Sequence, residues 1–123
     1  MMTSKEFSKR IAETGFKRES EMYWYEGKMP NVGKVAFILN GECGDKKIAP
    51  AYDIIYDICI KYPKEFFGED RDFIDGEPTT FGHTYCSHNI FKLIKQGKTL
   101  KEIEDYIEKN SILFKENKVN ANK

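Results

Sequence analysis

Both histidines of the chain lie in one short stretch, FGHTYCSH at residues 81–88, together with one of the three cysteines. Imidazole nitrogens and thiolates are ligands that zinc prefers. A thiol in the first turn of a helix also faces unpaired N–H groups, which favour the nucleophilic thiolate. The stretch therefore raises three alternatives: a metal site, a thiol active site, or packing at the entrance of a helix.

The spacing of these residues favours packing. At about 100° per residue, His83 and Cys86 share one face of a helix that contains both, while His88 lies about 200° from Cys86. A closed zinc tetrahedron would need a helix that begins after Cys86 and a further ligand such as Cys43 or Asp45. We therefore predict that His83 and Cys86 pack inward, that His88 stays accessible, and that no metal or cofactor is bound.

A thiol enzyme needs a general base and an orienting group within hydrogen-bond reach of the sulfur. His83 could supply the base for Cys86, but the sequence offers no histidine on another element to complete the set. Three cysteines without C-x-x-C spacing also indicate reduced thiols and not a disulfide framework. The sequence predicts a protein without enzymatic activity, with a Cys86 thiol enzyme or a zinc-binding protein as an alternative.

Residues 68–77, GEDRDFIDGE, are the most acidic stretch of the chain. An EF-hand loop requires an oxygen ligand at position 5 and glycine at position 6, but counting from Asp70 places Ile74 and Asp75 there. We interpret the stretch as a solvated acidic loop that contacts a basic partner surface. The predicted partner-binding residues of this loop are Glu69, Asp70, Asp72 and Asp75.

A second candidate contact is the aromatic run Tyr23-Trp24-Tyr25. If the run is a strand, Tyr23 and Tyr25 point to one face and Trp24 to the other. One of these faces can be covered by a helix, and the other is then available to a partner, because tyrosine and tryptophan are enriched in interface hot spots. We predict that all three residues contribute to partner binding.

Residues 94–107, IKQGKTLKEIEDYI, resemble the opening of helix-turn-helix DNA-binding proteins, in which a glycine turn and a small capping residue precede a Leu-x-x-x-Ile helix. The resemblance implies a further turn and a recognition helix, but Asn110 and Ser111 lead into the apolar residues 112–114. The formal net charge is zero, and there is no cluster of arginines. Nucleic-acid binding is an alternative that the sequence does not favour.

The elements that position these residues follow from periodicity and capping signals. Thr3 and Glu6 form a capping box for a first helix that Gly15 ends, and Pro63 ends a second helix. An Asn40-Gly41 turn is typical of a hairpin to a third strand. The predicted strands are 22–25, 35–39 and about 42–48. The predicted later helices are 51–62, with Pro50 in its first turn and Ile54, Ile58 and Cys59 on its core face, then 84–96, and one that Thr99 and Glu102 begin with a capping box.

We therefore predict an α+β fold: a small antiparallel sheet of about three strands with an N-terminal helix and a C-terminal helical part packed on one face. The 123 residues fit a single domain at 1–114 followed by a polar tail at 115–123. The longest run of aliphatic or aromatic residues, 35–39, is too short to cross a bilayer. The first 30 residues show no secretory signal, so a cytoplasmic location is expected.

These features predict a small cytosolic non-enzymatic binding protein, of the accessory, regulatory or inhibitor type found in phages and mobile elements. Its expected partner is a protein. The alternative is a small-molecule or nucleotide-binding protein whose aromatic pocket is lined by Phe81, His83 and His88. The partner's identity and the oligomeric state are left open by the sequence.

Overall fold

A computed structural model gives the fold and describes residues 1–16, 18–40, 46–68, 73–74, 77–78 and 84–115. The chain divides into two compact units, Met2–Tyr52 and Met1 with Asp53–Lys123. The predicted α+β class is confirmed, because the chain contains a three-stranded antiparallel sheet, an N-terminal helix and C-terminal helices. The boundary predicted between the domain and a tail at residue 115 stays a prediction, because residues 116–123 lie outside the described residues.

The N-terminal helix, α1 (Lys5–Glu13), buries Phe7 and Ile11 on one face. Its N-cap is Ser4, whose hydroxyl accepts the Phe7 N–H at 3.2 Å, so the predicted Thr3 cap is wrong by one residue. The reason is that Thr3 is fully buried and uses its hydroxyl elsewhere. The helix ends as predicted before Gly15, whose φ of 89° suits glycine.

The sheet consists of β1 (Met22–Met29), β2 (Gly33–Asn40) and β3 (Lys46–Ala51), in the spatial order β2-β1-β3 with both pairs antiparallel. The predicted strands 22–25 and 35–39 are both present, but β1 and β2 are each longer than predicted. β1 continues through Gly27, which pairs with Val35. The turn between β1 and β2 is therefore short, with the Val32 N–H donating to the Met29 carbonyl at 3.3 Å and Asn31 at a φ of 66°.

The hairpin predicted at Asn40-Gly41 is wrong as a link between neighbouring strands, because β3 pairs with β1 and not with β2. A turn dipeptide favours a local chain reversal but does not determine which strand the next segment joins. Residues 41–45 themselves lie outside the described residues. β3 also includes Pro50 and Ala51, which were predicted to begin a helix. Proline is tolerated in β3 because β3 is an edge strand.

The second unit begins with a π-helix (Ile54–Lys61), in which the Tyr62 N–H donates to the Asp57 carbonyl five residues earlier at 2.7 Å. It begins later than predicted because Asp53 caps it, accepting the N–H groups of Ile55 at 3.0 Å and Tyr56 at 2.8 Å. Its buried residues, Ile54, Ile58 and Cys59, are on the predicted core face. As predicted, the π-helix ends before Pro63, which begins the short helix α2 (Pro63–Phe67).

The helix starts predicted at Thr84 and Thr99 are confirmed. Each start has a capping box, with Ser87 or Glu102 at the N3 position. They begin α3 (Tyr85–Lys95) and α4 (Leu100–Asn110), which contact each other. Asn89, near the middle of α3, donates to the Tyr106 hydroxyl near the middle of α4 at 2.9 Å. That contact fits the antiparallel packing expected of two helices joined by a short turn.

The remaining described segments are short. The strands β4 (Phe73–Ile74) and β5 (Glu77–Pro78) pair with each other, and residues 112–115 form one helical turn. The Ser111 hydroxyl before that turn donates to the Phe66 carbonyl at 2.8 Å. None of the described helices is both long enough and apolar enough to cross a membrane.

Candidate interaction surface

The sheet has two faces of different character. Strand alternation and the cross-strand register place Tyr23 opposite Leu39 and Tyr25 opposite Phe37, so these four side chains share one face. We call it the aromatic face and define it by Tyr23, Tyr25, Val35, Phe37, Leu39 and Lys47. Trp24 lies on the other face, opposite Ile38 on β2 and Ala49 on β3.

The face that carries Trp24 is partly covered within the first unit. Ala49 is only 3% exposed, and β3 contacts α1. The Trp24 indole N–H donates to the Thr3 carbonyl at 3.0 Å. Trp24 is half-buried, and its single polar group already has a partner inside the protein.

A buried group of hydroxyls holds the segment before α1 in place. The Thr3 and Ser8 hydroxyl oxygens are 2.6 Å apart, and the Thr3 hydroxyl accepts the Tyr52 N–H at 3.0 Å. The Thr3 N–H in turn donates to the Tyr52 carbonyl at 2.8 Å. Because both hydroxyls are fully buried, these bonds replace the water that the groups lose on folding.

Tyr25 belongs to the protein interior. It is 2% exposed, and its ring stacks with that of Phe37 at a centroid distance of 6.2 Å and an interplanar angle of 23°. A partner could reach Tyr25 only if neighbouring side chains moved away. Its position therefore supports a packing role, whereas Phe37 is half-buried and presents part of its ring at the surface.

The accessible part of the aromatic face lies around Tyr23. The Tyr23 ring is half-buried, and the ammonium of Lys47 lies 3.7 Å from its centroid in a cation–π contact. Leu39, directly opposite on β2, is 41% exposed. The protein thus presents an apolar surface of Tyr23, Phe37 and Leu39 with one positive charge above the tyrosine.

The tip of the β1–β2 hairpin adds exposed apolar side chains, with Met29 at 53% and Val32 at 65% exposure. A shallow depression of about 520 Å³ is lined by residues 28–33 of this tip. No aromatic or histidine side chain is among its lining residues. The depression therefore differs from the aromatic ligand pocket proposed from the sequence.

Most of the other predicted site residues lie outside the described residues. These are the acidic-loop residues Glu69, Asp70, Asp72 and Asp75, the pocket residues Phe81 and His83, and the possible zinc ligands Cys43 and Asp45. His88 and Cys86 are both half-buried in the first turns of α3. Their assignment as accessible or inward-packing residues stays a prediction.

The Cys59 thiol is buried in the π-helix of the second unit. Burial raises the pKa of the Cys59 thiol to about 12, and the nearby charge of Asp53 adds to the effect, so Cys59 remains protonated at neutral pH. Across the described ranges, the His, Cys, Asp and Glu side chains do not form any group of three or more that could hold a metal ion.

Sequence reasoning missed the importance of β2. All eight of its residues are half-buried or exposed, and it stands at one end of the strand order. The available signal was composition, because the run GKVAFILN contains one charge and no proline.

No protein-family model, curated protein or solved structure matches this chain.

Proposed function

We propose that this chain is a small non-enzymatic binding protein, of accessory, regulatory or inhibitor type, that acts by docking a protein partner onto the aromatic face of its sheet. The observation that carries the proposal is the accessible surface of Tyr23, Phe37 and Leu39 beside Lys47. Apolar side chains flanked by charge at the rim are typical of interface cores.

The chemistry of this surface supports a proposal for the kind of partner. Phe37 and Leu39 offer apolar area that a protruding aliphatic or aromatic side chain can cover, and Tyr23 adds a ring with a hydroxyl able to hydrogen-bond. Lys47 is exposed above that ring. We therefore propose a partner whose apolar anchor residue is flanked by a carboxylate, which would pair with the Lys47 ammonium.

Two further parts of the proposal rest on other features. We place the protein in the cytoplasm, because Cys59 and Cys86 are free thiols, as is usual in a reducing compartment. The acidic residues at 69–75 provide a second proposed contact, to a basic region of the same partner. An origin in a phage or mobile element is proposed from the short, lysine-rich composition alone.

The test is site-specific photo-crosslinking in cells of the natural source. A photoreactive phenylalanine analogue replaces Tyr23 in one variant and Tyr56 in the matched control, because Tyr56 is a tyrosine of the other unit with 68% exposure. We expect one defined protein to be crosslinked from position 23 and not from position 56. Equal crosslinking from both positions, or none from position 23, would contradict the proposal.

Affinity for the crosslinked protein gives a second measurement. Tyr23→Ala should weaken binding by about 2 kcal/mol, as expected when a hot-spot tyrosine is truncated. Tyr56→Ala should leave binding unchanged. Thermal unfolding of both variants separates a lost contact from a lost fold, and a folded Tyr23→Ala chain with full affinity would exclude the aromatic face.

A further inference from the structure

The two edges of the sheet are built differently. Edge strands carry unpaired N–H and C=O groups, and monomeric proteins usually protect them with proline, bulges or charged residues. β3 has such protection, because Pro50 lacks an N–H group and the pairing with β1 is irregular between Trp24 and Tyr25. β2 pairs with β1 without a register shift over all eight residues.

Among the residues that the structure describes, β2 has neither a proline nor a bulge to protect its outer edge. Lys34 is its one charged residue, and it lies near the end of the strand next to the hairpin. The centre of the strand, residues 35–39, is uncharged and contains valine, phenylalanine and isoleucine, which favour β-pairing. An edge of this length and composition is a template for another strand.

The side-chain order of β2 identifies that other strand. In a two-fold symmetric antiparallel pair, residue i of one copy faces residue j of the other, and the sum of the two residue numbers is the same for every facing pair. Facing side chains lie on the same side of the sheet, so i and j are both odd or both even. The sum of the two numbers is therefore even. With Phe37 on the axis, Phe37 faces itself, Ala36 faces Ile38 and Val35 faces Leu39. Every apolar side chain then has an apolar neighbour, as cross-strand stabilisation requires.

The polar ends of the strand match in the same register. Lys34 faces Asn40 of the second copy, so the ammonium lies beside an amide that can accept a hydrogen bond. If the axis passed through Ala36, Lys34 would face Ile38 and Leu39 would face Gly33. The self-complementary order about Phe37 therefore favours one register over its neighbour.

We propose that β2 pairs with β2 of a second copy of this chain, with the two-fold axis at Phe37, to form a six-stranded antiparallel sheet in the order β3-β1-β2-β2-β1-β3. The inference does not rest on the proposed function. It predicts that the protected β3 strands become the outer edges, which stops the assembly at two copies. The axis is perpendicular to the sheet, so the two aromatic faces lie side by side on the same surface.

Cysteine crosslinking tests the register directly. Opposite Cα atoms in antiparallel strands lie about 4.5–5.5 Å apart, within the range of about 4.4–6.8 Å that disulfides span. Phe37→Cys chains should therefore form a disulfide-linked dimer under mild oxidation. Ala36→Cys is the matched control, because its own copies would stand roughly 8 Å apart in this register, beyond the limit of about 7 Å for a disulfide.

A second crosslink tests the same register without replacing Phe37, so the test still holds if the Phe37→Cys variant does not fold. A mixture of Val35→Cys and Leu39→Cys chains should give a mixed dimer, because these positions face each other, and neither variant alone should crosslink at that position. The native thiols are present in every variant, so the unsubstituted chain reports their background. Crosslinking from Ala36→Cys but not from Phe37→Cys would overturn the proposed register.

Sedimentation analysis of the unsubstituted chain tests the assembly itself. We expect a concentration-dependent monomer–dimer equilibrium, and Ala36→Lys should weaken association by about tenfold or more, because an edge lysine opposes pairing. Ala12→Lys is the control, since Ala12 is an exposed alanine of α1. A chain that stays monomeric at every concentration, or that forms open-ended fibres, would overturn the proposal. Neither result would bear on crosslinking of a partner from Tyr23.

Discussion

The two edge strands of the sheet have the same neighbour but different roles. β3 is built into the core: Ala49 and Ala51 are buried, the Ser20 hydroxyl donates to the Ala51 carbonyl, and α1 lies against the strand. β2 is tied to the sheet by its pairing with β1, and every one of its residues reaches the surface. One edge therefore supports the fold, while the residues of the other edge lie at the surface.

The largest expected difference between the two edges comes from adding the same bulk to each. Ala49→Leu introduces three carbons at a site with 3% exposure on β3 and should lower the free energy of unfolding by about 3 kcal/mol through overpacking. Ala36→Leu makes the same change on exposed β2 and should cost no more than about 0.5 kcal/mol. Urea denaturation measures both values, and equal losses would contradict the contrast between the edges.

The next effect concerns the hydroxyl that anchors the end of β3. Thr3→Val keeps the shape of the side chain but leaves the buried Tyr52 N–H and the Ser8 hydroxyl without this partner. We expect a loss of about 2 kcal/mol in unfolding free energy. Thr99→Val is a contrasting variant that also removes a hydroxyl acceptor, from the cap of α4, and it should cost only about 1 kcal/mol because water can reach the exposed N–H group. Unchanged stability of Thr3→Val would show that the buried hydroxyl group is dispensable.

The smallest effect compares one lysine from each edge. Lys47→Ala removes the ammonium above the Tyr23 ring and should cost about 0.5–1 kcal/mol, the usual value for an exposed cation–π contact. Lys34→Ala, on β2, should change the unfolding free energy by less. If Lys34→Ala proves the more harmful change, the cation–π contact contributes little to β3.

The sequence allowed a good prediction of elements whose signals are local. The helix starts at Thr84 and Thr99, the helix end at Gly15 and the core position of Cys59 depend on residues within one or two turns. Such signals are sufficient because capping and amphipathic spacing involve near neighbours in the chain. The fold class followed from the same local patterns.

The errors arose where distant residues decide the outcome. β3 pairs with β1, and Tyr52, just after β3, bonds to Thr3, forty-nine residues earlier in the chain. Turn propensity and hydrophobic periodicity describe near neighbours, so they predict neither of these contacts. The same bonds explain why Ser4 and not Thr3 caps α1. For the candidate site, alternation gave the faces of Tyr23, Trp24 and Tyr25, but only the packed sheet shows that Tyr25 is interior.

The bond from the Trp24 indole to the Thr3 carbonyl has a practical consequence. Trp24 is the only tryptophan in the chain, so the ultraviolet emission of the protein has a single dominant source. Detachment of the segment before α1 would expose the indole to water and shift that emission to longer wavelength. The molecule thus carries its own optical reporter for the junction between its first residues and the sheet.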